Sequence, residues 1–116
     1  MSVTNKPMTI IISSDTFGNG PKELGEVLLS NYIYTLTELE PLPKSIIFLN
    51  SGAYMTSTDS NALEDLRNLE AGGVHILTCG SCIDYYNLKD KLAVGQITNM
   101  FEITKEMATA ENLVNI

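Results

Sequence analysis

The sequence predicts a single α/β domain, a three-layer α/β/α sandwich around a mainly parallel sheet of four or five strands. Three apolar runs predict its inner strands, because they are rich in β-branched residues and do not alternate with polar ones: Met8–Ser13, Ser45–Leu49 and Val74–Thr78. Helical patterns separate these runs, and no hairpin signal joins them. Right-handed crossovers between parallel strands are therefore expected. The domain spans residues 1–116, with residues 1–7 as an N-terminal tail.

A polar loop and a long helix follow the first strand. Ser14 to Thr16 begin the loop, and Pro21 is placed to open a helix from Lys22 to about Leu39. The helix is apolar on more than one side, through Leu24, Val27, Leu28, Leu29, Tyr32, Ile33, Tyr34, Leu36 and Leu39. A well-covered core helix and a subunit interface both explain so wide an apolar band.

The next crossover is an ordinary amphipathic helix. Pro41 and Pro43 end the first helix, and the second strand runs into the polar turn Asn50-Ser51-Gly52. The inner stripe of the second helix contains Ala62, Leu63, Leu66 and Leu69. Gly72-Gly73 ends this helix before the third strand, as is typical of a C-terminal cap.

The pattern beyond Cys82 is weaker. It predicts a short helix over Ile83–Leu88, a turn over Lys89–Leu92, and a short strand over Val94–Thr98. Asn99-Met100 then opens a helix to about Thr109 with Met100, Ile103 and Met107 facing inward, and Asn112–Ile116 forms a last edge strand.

The composition excludes several classes of function. The 7 Lys and Arg residues against 14 Asp and Glu residues give a net charge of −7, which opposes binding to nucleic-acid phosphates. No run approaches the roughly 18 apolar residues of a membrane-spanning helix, and the N-terminus lacks the apolar core of a signal peptide. We therefore expect a cytoplasmic protein that binds neither nucleic acid nor membrane, with its two cysteines as free thiols.

Both cysteines lie at the end of the third strand, in the motif Cys79-Gly80-Ser81-Cys82. A thiol delivered to the start of a helix ionises more easily than a free cysteine, because the helix N-terminus stabilises negative charge. The Cys-x-x-Cys spacing lets two sulfurs meet across one helical turn, although two inert buried cysteines would also fit it. A zinc site needs about four ligands, and one chain supplies only the two cysteines and His75, so we expect no metal or cofactor.

The loops after parallel strands meet at one edge of a sheet, where open α/β sheets bind ligands. We therefore expect a site in which Cys79 and Cys82 supply the chemistry and nearby polar and glycine residues bind: Ser14, Asp15, Thr16, Asn50, Ser51, Gly52, Gly80, Ser81 and Asn99. Cys79 should be the thiol better placed for an incoming donor, because Cys82 lies about one turn further into the following segment.

Three segments together resemble the DsrE/DsrF-like sulfurtransferase fold, most closely the C-terminal domain of the YedF selenium-metabolism family. They are IIISSDTFGNGPKELGEVLL, YIYTLTELEPLPKSIIFLNSG and VHILTCGSCIDYYNLKDKLAVGQITNM, with LNSG, CGSC and GQITNM as the most specific parts. The resemblance implies a persulfide on Cys79, Cys82 as the second thiol, and a trimer or hexamer. Family proteins usually have threonine where Ser81 stands, and many carry a preceding TusA-like domain. The sulfur or selenium donor would here act in trans, unless the sequence is a piece of a longer protein.

Three functions from different classes are consistent with these patterns. The first is a sulfur or selenium carrier, or sulfurtransferase, that forms a persulfide on Cys79 and exchanges it with donor and acceptor proteins as a homo-oligomer. The second is a non-catalytic module of the same fold that binds a small molecule or a protein. The third is a dithiol oxidoreductase, although Gly80-Ser81 lacks the proline of the thioredoxin motif.

Overall fold

Five strands and four α-helices alternate along residues 6–116. The structure is a computed structural model that describes residues 6–116, so only Lys6 and Pro7 of the tail expected over residues 1–7 lie within it. Its elements are β1 (Thr9–Ile12), α1 (Lys22–Leu36), β2 (Ser45–Phe48), a 3₁₀-helix (Asn50–Thr56), α2 (Leu63–Ala71), β3 (His75–Cys79), α3 (Gly80–Tyr85), a short 3₁₀ turn (Lys89–Lys91), β4 (Gln96–Thr98), α4 (Met100–Thr109) and β5 (Leu113–Asn115).

The five strands form one sheet in the order β4-β3-β2-β1-β5, and every neighbouring pair is parallel. The predicted α/β fold with a parallel sheet is therefore confirmed. The strands β1, β2 and β3 occupy the interior of the sheet, while β4 and β5 form its edges. The register pairs Cys79 at the end of β3 with Thr98 at the end of β4.

Both faces of the sheet are covered, because successive side chains of a strand point to opposite faces. One face packs against α1 and α2 in a core that includes Ile10, Ile12, Leu29, Ile33, Ile46, Phe48, Leu66, Leu69 and Ile76. The other face packs against α4 in a smaller cluster of Ile11, Ile47, Cys79 and Ile103. The sheet is therefore the middle of three layers, and Cys79 lies on its α4 side.

The helix α1 differs from its sequence-based description in its inner face and in its end. Its buried residues are Gly25, Leu29, Ile33 and Leu36, whereas Leu24, Val27, Leu28 and Tyr34 remain 41 to 55% exposed. It ends at Leu36 rather than Leu39, because the N–H groups of the next three residues bond three positions back and tighten the chain into turns. Much of the wide apolar band is thus on the surface.

The end of α2 agrees with the sequence-based expectation, whereas the inner face of α4 does not. Gly72-Gly73 does end α2: Gly73 has a φ of +101°, and Val74 and Gly73 donate to Leu69 and Glu70 at 3.0 Å, as in a Schellman cap. Of the three residues expected to face inward from α4, only Ile103 is buried, while Met100 and Met107 are 58% and 41% exposed. No helix within residues 6–116 combines the length and the apolar content needed to cross a membrane.

The segment after β2 is a 3₁₀-helix rather than a simple turn, and its packing depends on Gly52. The N–H of Gly52 donates to Leu49 at 2.8 Å, and the N–H of Leu49 donates to Ile12 at the end of β1 at 2.9 Å. A Cβ atom at Gly52 would overlap the carbonyl oxygen of Ile12. Only glycine therefore lets this helix lie directly across the end of the neighbouring strand.

We expect Gly52→Ala to destabilise the protein by about 1–3 kcal/mol, since the new methyl group meets backbone that cannot move without disturbing β1. Urea denaturation followed by circular dichroism measures this change. Gly20→Ala is the matched control, because a Cβ there meets nothing within 4 Å. Equal unfolding midpoints for the two variants would show that the close approach at Gly52 does not constrain the fold.

Candidate functional site

Cys79 lies at the junction of β3 and α3 and is the more deeply buried of the two thiols. It is the N-cap residue of α3, which begins at Gly80 rather than at the predicted Ile83. Its side chain packs with Ile11, Ile47 and Ile103, and the residue is 4% exposed. The thiol thus stands at the carboxyl edge of an inner strand, but a helix side chain covers it.

Cys82 lies on the same side of α3, three positions further along, where helical geometry brings the two side chains together. It is half-buried and packs between the Cys79 cluster and a second cluster of Ala53, Ile83 and Leu88. The backbone N–H of Asn50 donates to its sulfur at 3.1 Å. The sequence predicted that Cys79 would be the thiol better placed to meet a donor. In the structure Cys82 is the more exposed of the two thiols.

Burial, the neighbouring Cys79 and the backbone N–H of Asn50 set the pKa of the Cys82 thiol. Burial raises it, and the side-chain hydrogen bond with Cys79 raises it further, whereas the N–H of Asn50 lowers it because it stabilises the thiolate. The net effect is a raised pKa, so Cys82 keeps its proton at neutral pH. A protonated Cys82 can donate a hydrogen bond to an anionic sulfur on Cys79.

Two hydrogen bonds tie the loops after β1, β2 and β3 together. The N–H of Asp15 donates to the hydroxyl of Ser51 at 3.2 Å, and the Asn50 N–H reaches Cys82 as described. Asn50 has a φ of +51°, in the left-handed region that asparagine tolerates better than most side chains. The structure therefore brings Asp15, Ser51, Asn50 and Cys82 to one place.

The other residues expected at the site have local roles. The hydroxyls of Ser14 and Thr16 bond each other at 3.0 Å within their own loop. Gly80 packs against β4, where a Cβ would lie 3.2 Å from Ile97, and Ser81 is exposed. The side-chain oxygen of Asn99 accepts the N–H of Glu102 at 2.9 Å and so caps α4.

Sequence patterns missed three residues beside the dithiol. Ile103 packs against Cys79, Tyr86 packs in the same cluster as Cys82, and the ring of Tyr54 lies tilted against that of Tyr86 with centroids 4.8 Å apart. The apolar spacing of α4 pointed to Ile103 as a core residue but could not show which strand it would cover. No sequence pattern marked Tyr54 as a site residue, because apolar residues do not recur at a regular spacing in the 3₁₀-helix that contains it.

Within residues 6–116, no three His, Cys, Asp or Glu side chains lie together so as to hold a metal ion. His75, at the other end of β3, is exposed and distant from the dithiol along the strand.

No protein-family model matches the sequence, and no curated protein matches it either. Solved structures do resemble it. The ychN protein from E. coli has a TM-score of 0.74 at 13% identity over 97% of this chain and 100% of its own. The chain has the same fold.

Two further solved structures also have a fold similar to that of this chain. MTH1491, a protein of unknown function from Methanobacterium thermoautotrophicum, has a TM-score of 0.70 at 16% identity over 97% of this chain and all of its own. BT1422, a conserved protein of unknown function from Bacteroides thetaiotaomicron, has a TM-score of 0.66 at 14% identity over 94% of both chains. These likenesses support the DsrE-like fold that the sequence resemblance implies, and they concern the fold alone.

We expect Cys79→Ala to lower the pKa of Cys82, because it removes a hydrogen bond that favours the protonated thiol. In the wild type, the alkylation of Cys82 by iodoacetamide should have its midpoint above the pH of about 8.5 typical of a free cysteine, and in the variant the midpoint should fall. Tandem mass spectrometry of samples labelled across a pH series resolves the two positions. Cys79→Ser, which keeps a hydrogen-bonding side chain, should shift the midpoint less. A midpoint that rises or stays constant in Cys79→Ala would refute this coupling.

Proposed function

We propose that the protein is a sulfur carrier that holds a sulfane sulfur as a persulfide on Cys79, with Cys82 as the assisting thiol. The observation that supports this function best is the pair of free, hydrogen-bonded cysteines at the carboxyl edge of β3. In this role Cys79 is the nucleophile, and Cys82, whose pKa is raised by burial and by Cys79, supplies a hydrogen bond to it. The N–H of Asn50 fixes the position of Cys82.

The transfer step needs no oxidant. The thiolate of Cys79 attacks the terminal sulfur of a donor persulfide, R–S–SH. The S–S bond of the donor breaks, R–S⁻ leaves and takes up a proton, and a new S–S bond forms on Cys79. The reverse reaction with an acceptor thiolate unloads the sulfur. A donor selenium atom would follow the same steps, as the YedF resemblance suggests.

The burial of Cys79 suits storage of the sulfur more than rapid exchange. A persulfide beneath Ile103 is shielded from bulk thiols, which would otherwise remove its outer sulfur. The same burial requires movement of α4 or of Cys82 before a partner's thiol can reach it. The proposed partners are sulfur or selenium donor and acceptor proteins, including TusA-like ones.

The burial of Cys79 also favours a second candidate function, a non-catalytic binding module of the same fold. A cysteine that is 4% exposed among three isoleucines resembles an inert core residue. In that case the polar loops, rather than the thiols, carry the function. The two candidates differ in whether Cys79 ever accepts sulfur.

Persulfide loading separates the two functions. After incubation with a low-molecular-weight persulfide and removal of the excess, we expect wild-type protein to gain the mass of one sulfur atom, located on Cys79. Cys79→Ser should lose at least nine-tenths of the loading, while Cys82→Ser should keep more of it. Circular dichroism spectra of both variants control for folding. Inert wild-type protein would favour the binding module over the carrier, and equal loss in both variants would contradict the assignment of the sulfur to Cys79.

We further propose that the chain forms a homo-oligomer through the outer face of α1. Leu24, Val27, Leu28 and Tyr34 are each 41 to 55% exposed on this helix. Soluble proteins rarely leave several large apolar side chains together on one helix unless another surface covers them. A second copy of the chain offers the same apolar face and can form a self-complementary contact.

Val27→Asp should therefore convert the oligomer to a monomer, because it places a charge in the centre of the proposed apolar contact. Multi-angle light scattering measures the mass of both forms. Asn68→Asp, on an exposed position of α2, adds the same charge elsewhere and should leave the oligomer intact. A wild-type protein that is monomeric at high concentration would contradict the proposal.

A further inference from the structure

Two buried threonines near the dithiol take no part in the function proposed so far. Thr56 is the last residue of the Asn50–Thr56 helix, and Thr78 directly precedes Cys79 in β3. Both residues are 0% exposed, and their hydroxyl oxygens lie 2.8 Å apart. Burying a hydroxyl group is costly unless it is hydrogen-bonded. Here the two hydroxyls satisfy each other.

The hydrogen bonds of this pair run in one direction. The Thr56 hydroxyl donates to the carbonyl oxygen of Ala53 at 3.2 Å, and the Ser57 hydroxyl donates to the same oxygen at 3.0 Å. Because a hydroxyl has only one proton, Thr78 is the donor of the pair and Thr56 is its acceptor. A chain of hydrogen bonds therefore runs from β3 into the Asn50–Thr56 helix.

The pair holds the far end of the helix that begins at Asn50. Gly52 lies against the end of β1 near the start of this helix, and Thr56 is bonded to β3 at its last residue. The carbonyl oxygen of Thr56 also accepts the N–H of Ala93 at 2.8 Å, but that bond leads to the segment before β4. Contacts at both ends fix the direction of the helix across the sheet edge, whereas the contact at Gly52 alone would let it pivot.

The pair is connected to both cysteines. Successive side chains of a strand point to opposite faces, so Thr78 bonds the helix on one face of β3 while Cys79 packs against α4 on the other. Ala53, the last acceptor of the chain, packs in the same cluster as Cys82. The N–H of Asn50 donates to the sulfur of Cys82 at 3.1 Å. A shift of the helix relative to β3 would therefore move this N–H relative to the dithiol.

Packing alone does not require hydroxyl groups at these two positions. Valine has nearly the shape of threonine, and replacing both partners of a buried hydrogen bond by apolar groups of the same shape can be nearly neutral for stability. A hydrogen bond also sets a distance and a direction between its two oxygens. The two hydroxyls therefore supply a positional constraint that a pair of valines would lack.

We propose that the Thr56–Thr78 pair positions the dithiol by holding the Asn50 N–H on the sulfur of Cys82. Its effect on sulfur transfer rests on the proposed carrier function, in which Cys82 assists Cys79. Its effect on the environment of Cys82 does not depend on that function. The two threonines are positioning residues that act through Asn50.

The protonation of Cys82 reports the position of Asn50. Burial and the neighbouring Cys79 raise the pKa of the Cys82 thiol, whereas the Asn50 N–H lowers it. Loss of the N–H contact therefore raises this pKa, while loss of burial lowers it. The sign of the change separates a displaced helix from a generally loosened site.

The titratable groups that face Cys82 are Cys79 on β3 and Tyr86 after α3. Asp84, on the same helix as Cys82, is exposed. Desolvation raises the pKa of Tyr86, and further increases come from Tyr54, Tyr85, Cys82 and Asp15. Tyr86 therefore stays neutral while Cys82 titrates. Since threonine and valine do not titrate, substitutions in the pair leave all these groups in place.

The first experiment measures the alkylation of Cys82 by iodoacetamide across a pH series. In Thr56→Val/Thr78→Val the midpoint should rise by about 0.5–1 pH unit, which corresponds to the loss of one hydrogen bond. Thr56→Ser/Thr78→Ser keeps both hydroxyls and should keep the wild-type midpoint. Thr9→Val changes a buried threonine at the opposite end of the sheet, so it is the matched control and should leave the midpoint unchanged. An unchanged midpoint in the double valine variant would overturn the proposal. A lowered midpoint would also overturn it, because it would show that Cys82 had only lost burial.

Thr78→Val alone provides a second test if the double variant does not fold. It removes the bond to β3 but leaves Thr56 bonded to Ala53, and it should shift the midpoint in the same direction. Circular dichroism and the urea unfolding midpoint establish that each variant is folded. A folded Thr78→Val protein without a raised midpoint would contradict the positioning role.

The second experiment follows the rate at which Cys79 is loaded from a low-molecular-weight persulfide. We expect Thr56→Val/Thr78→Val to load about fivefold more slowly than the wild type, and Thr9→Val to load at the wild-type rate. A raised Cys82 midpoint in the variant, with no loading of the wild type, would support the positioning role and overturn the carrier function. Equal loading rates with an unchanged midpoint would leave the carrier function standing and overturn the positioning role.

Discussion

The close approach of Gly52 to the end of β1 is the constraint on which the candidate site depends. Because no side chain stands at Gly52, the Asn50–Thr56 helix lies across the carboxyl edge of the sheet. That placement brings the Asn50 N–H to Cys82 and the Ser51 hydroxyl to Asp15. One backbone contact thus aligns the loops of three strands.

Two opposing effects act on the dithiol. Desolvation and the proximity of the two sulfurs disfavour negative charge on Cys82, and the single N–H of Asn50 only partly compensates. The outcome is an asymmetric pair, in which Cys82 holds a proton near the surface and Cys79 lies beneath α4. Such a pair favours retention of a bound sulfur over fast exchange with bulk thiols.

The sequence was sufficient for the sheet and for the location of the dithiol, because both depend on local signals. Continuous apolar runs identified β1, β2 and β3, and the two glycines after Ala71 identified the end of α2. The inner face of α1 could not be found in this way, since apolar residues surround that helix and only tertiary packing selects Leu29 and Ile33. The burial of Cys79 depends on Ile103, which is distant in the chain, so no local pattern predicts it.

An experimental structure of the wild-type protein after treatment with a persulfide donor tests the central claim most directly. The expected result is one additional sulfur atom bonded to the sulfur of Cys79, with Cys82 still a thiol and its contact with the Asn50 N–H preserved. A Cys79–Cys82 disulfide without an added sulfur atom would show that the pair does not retain the sulfur, because attack of Cys82 on a Cys79 persulfide releases HS⁻ and leaves this disulfide. An unmodified Cys79 after this treatment would contradict the carrier function outright.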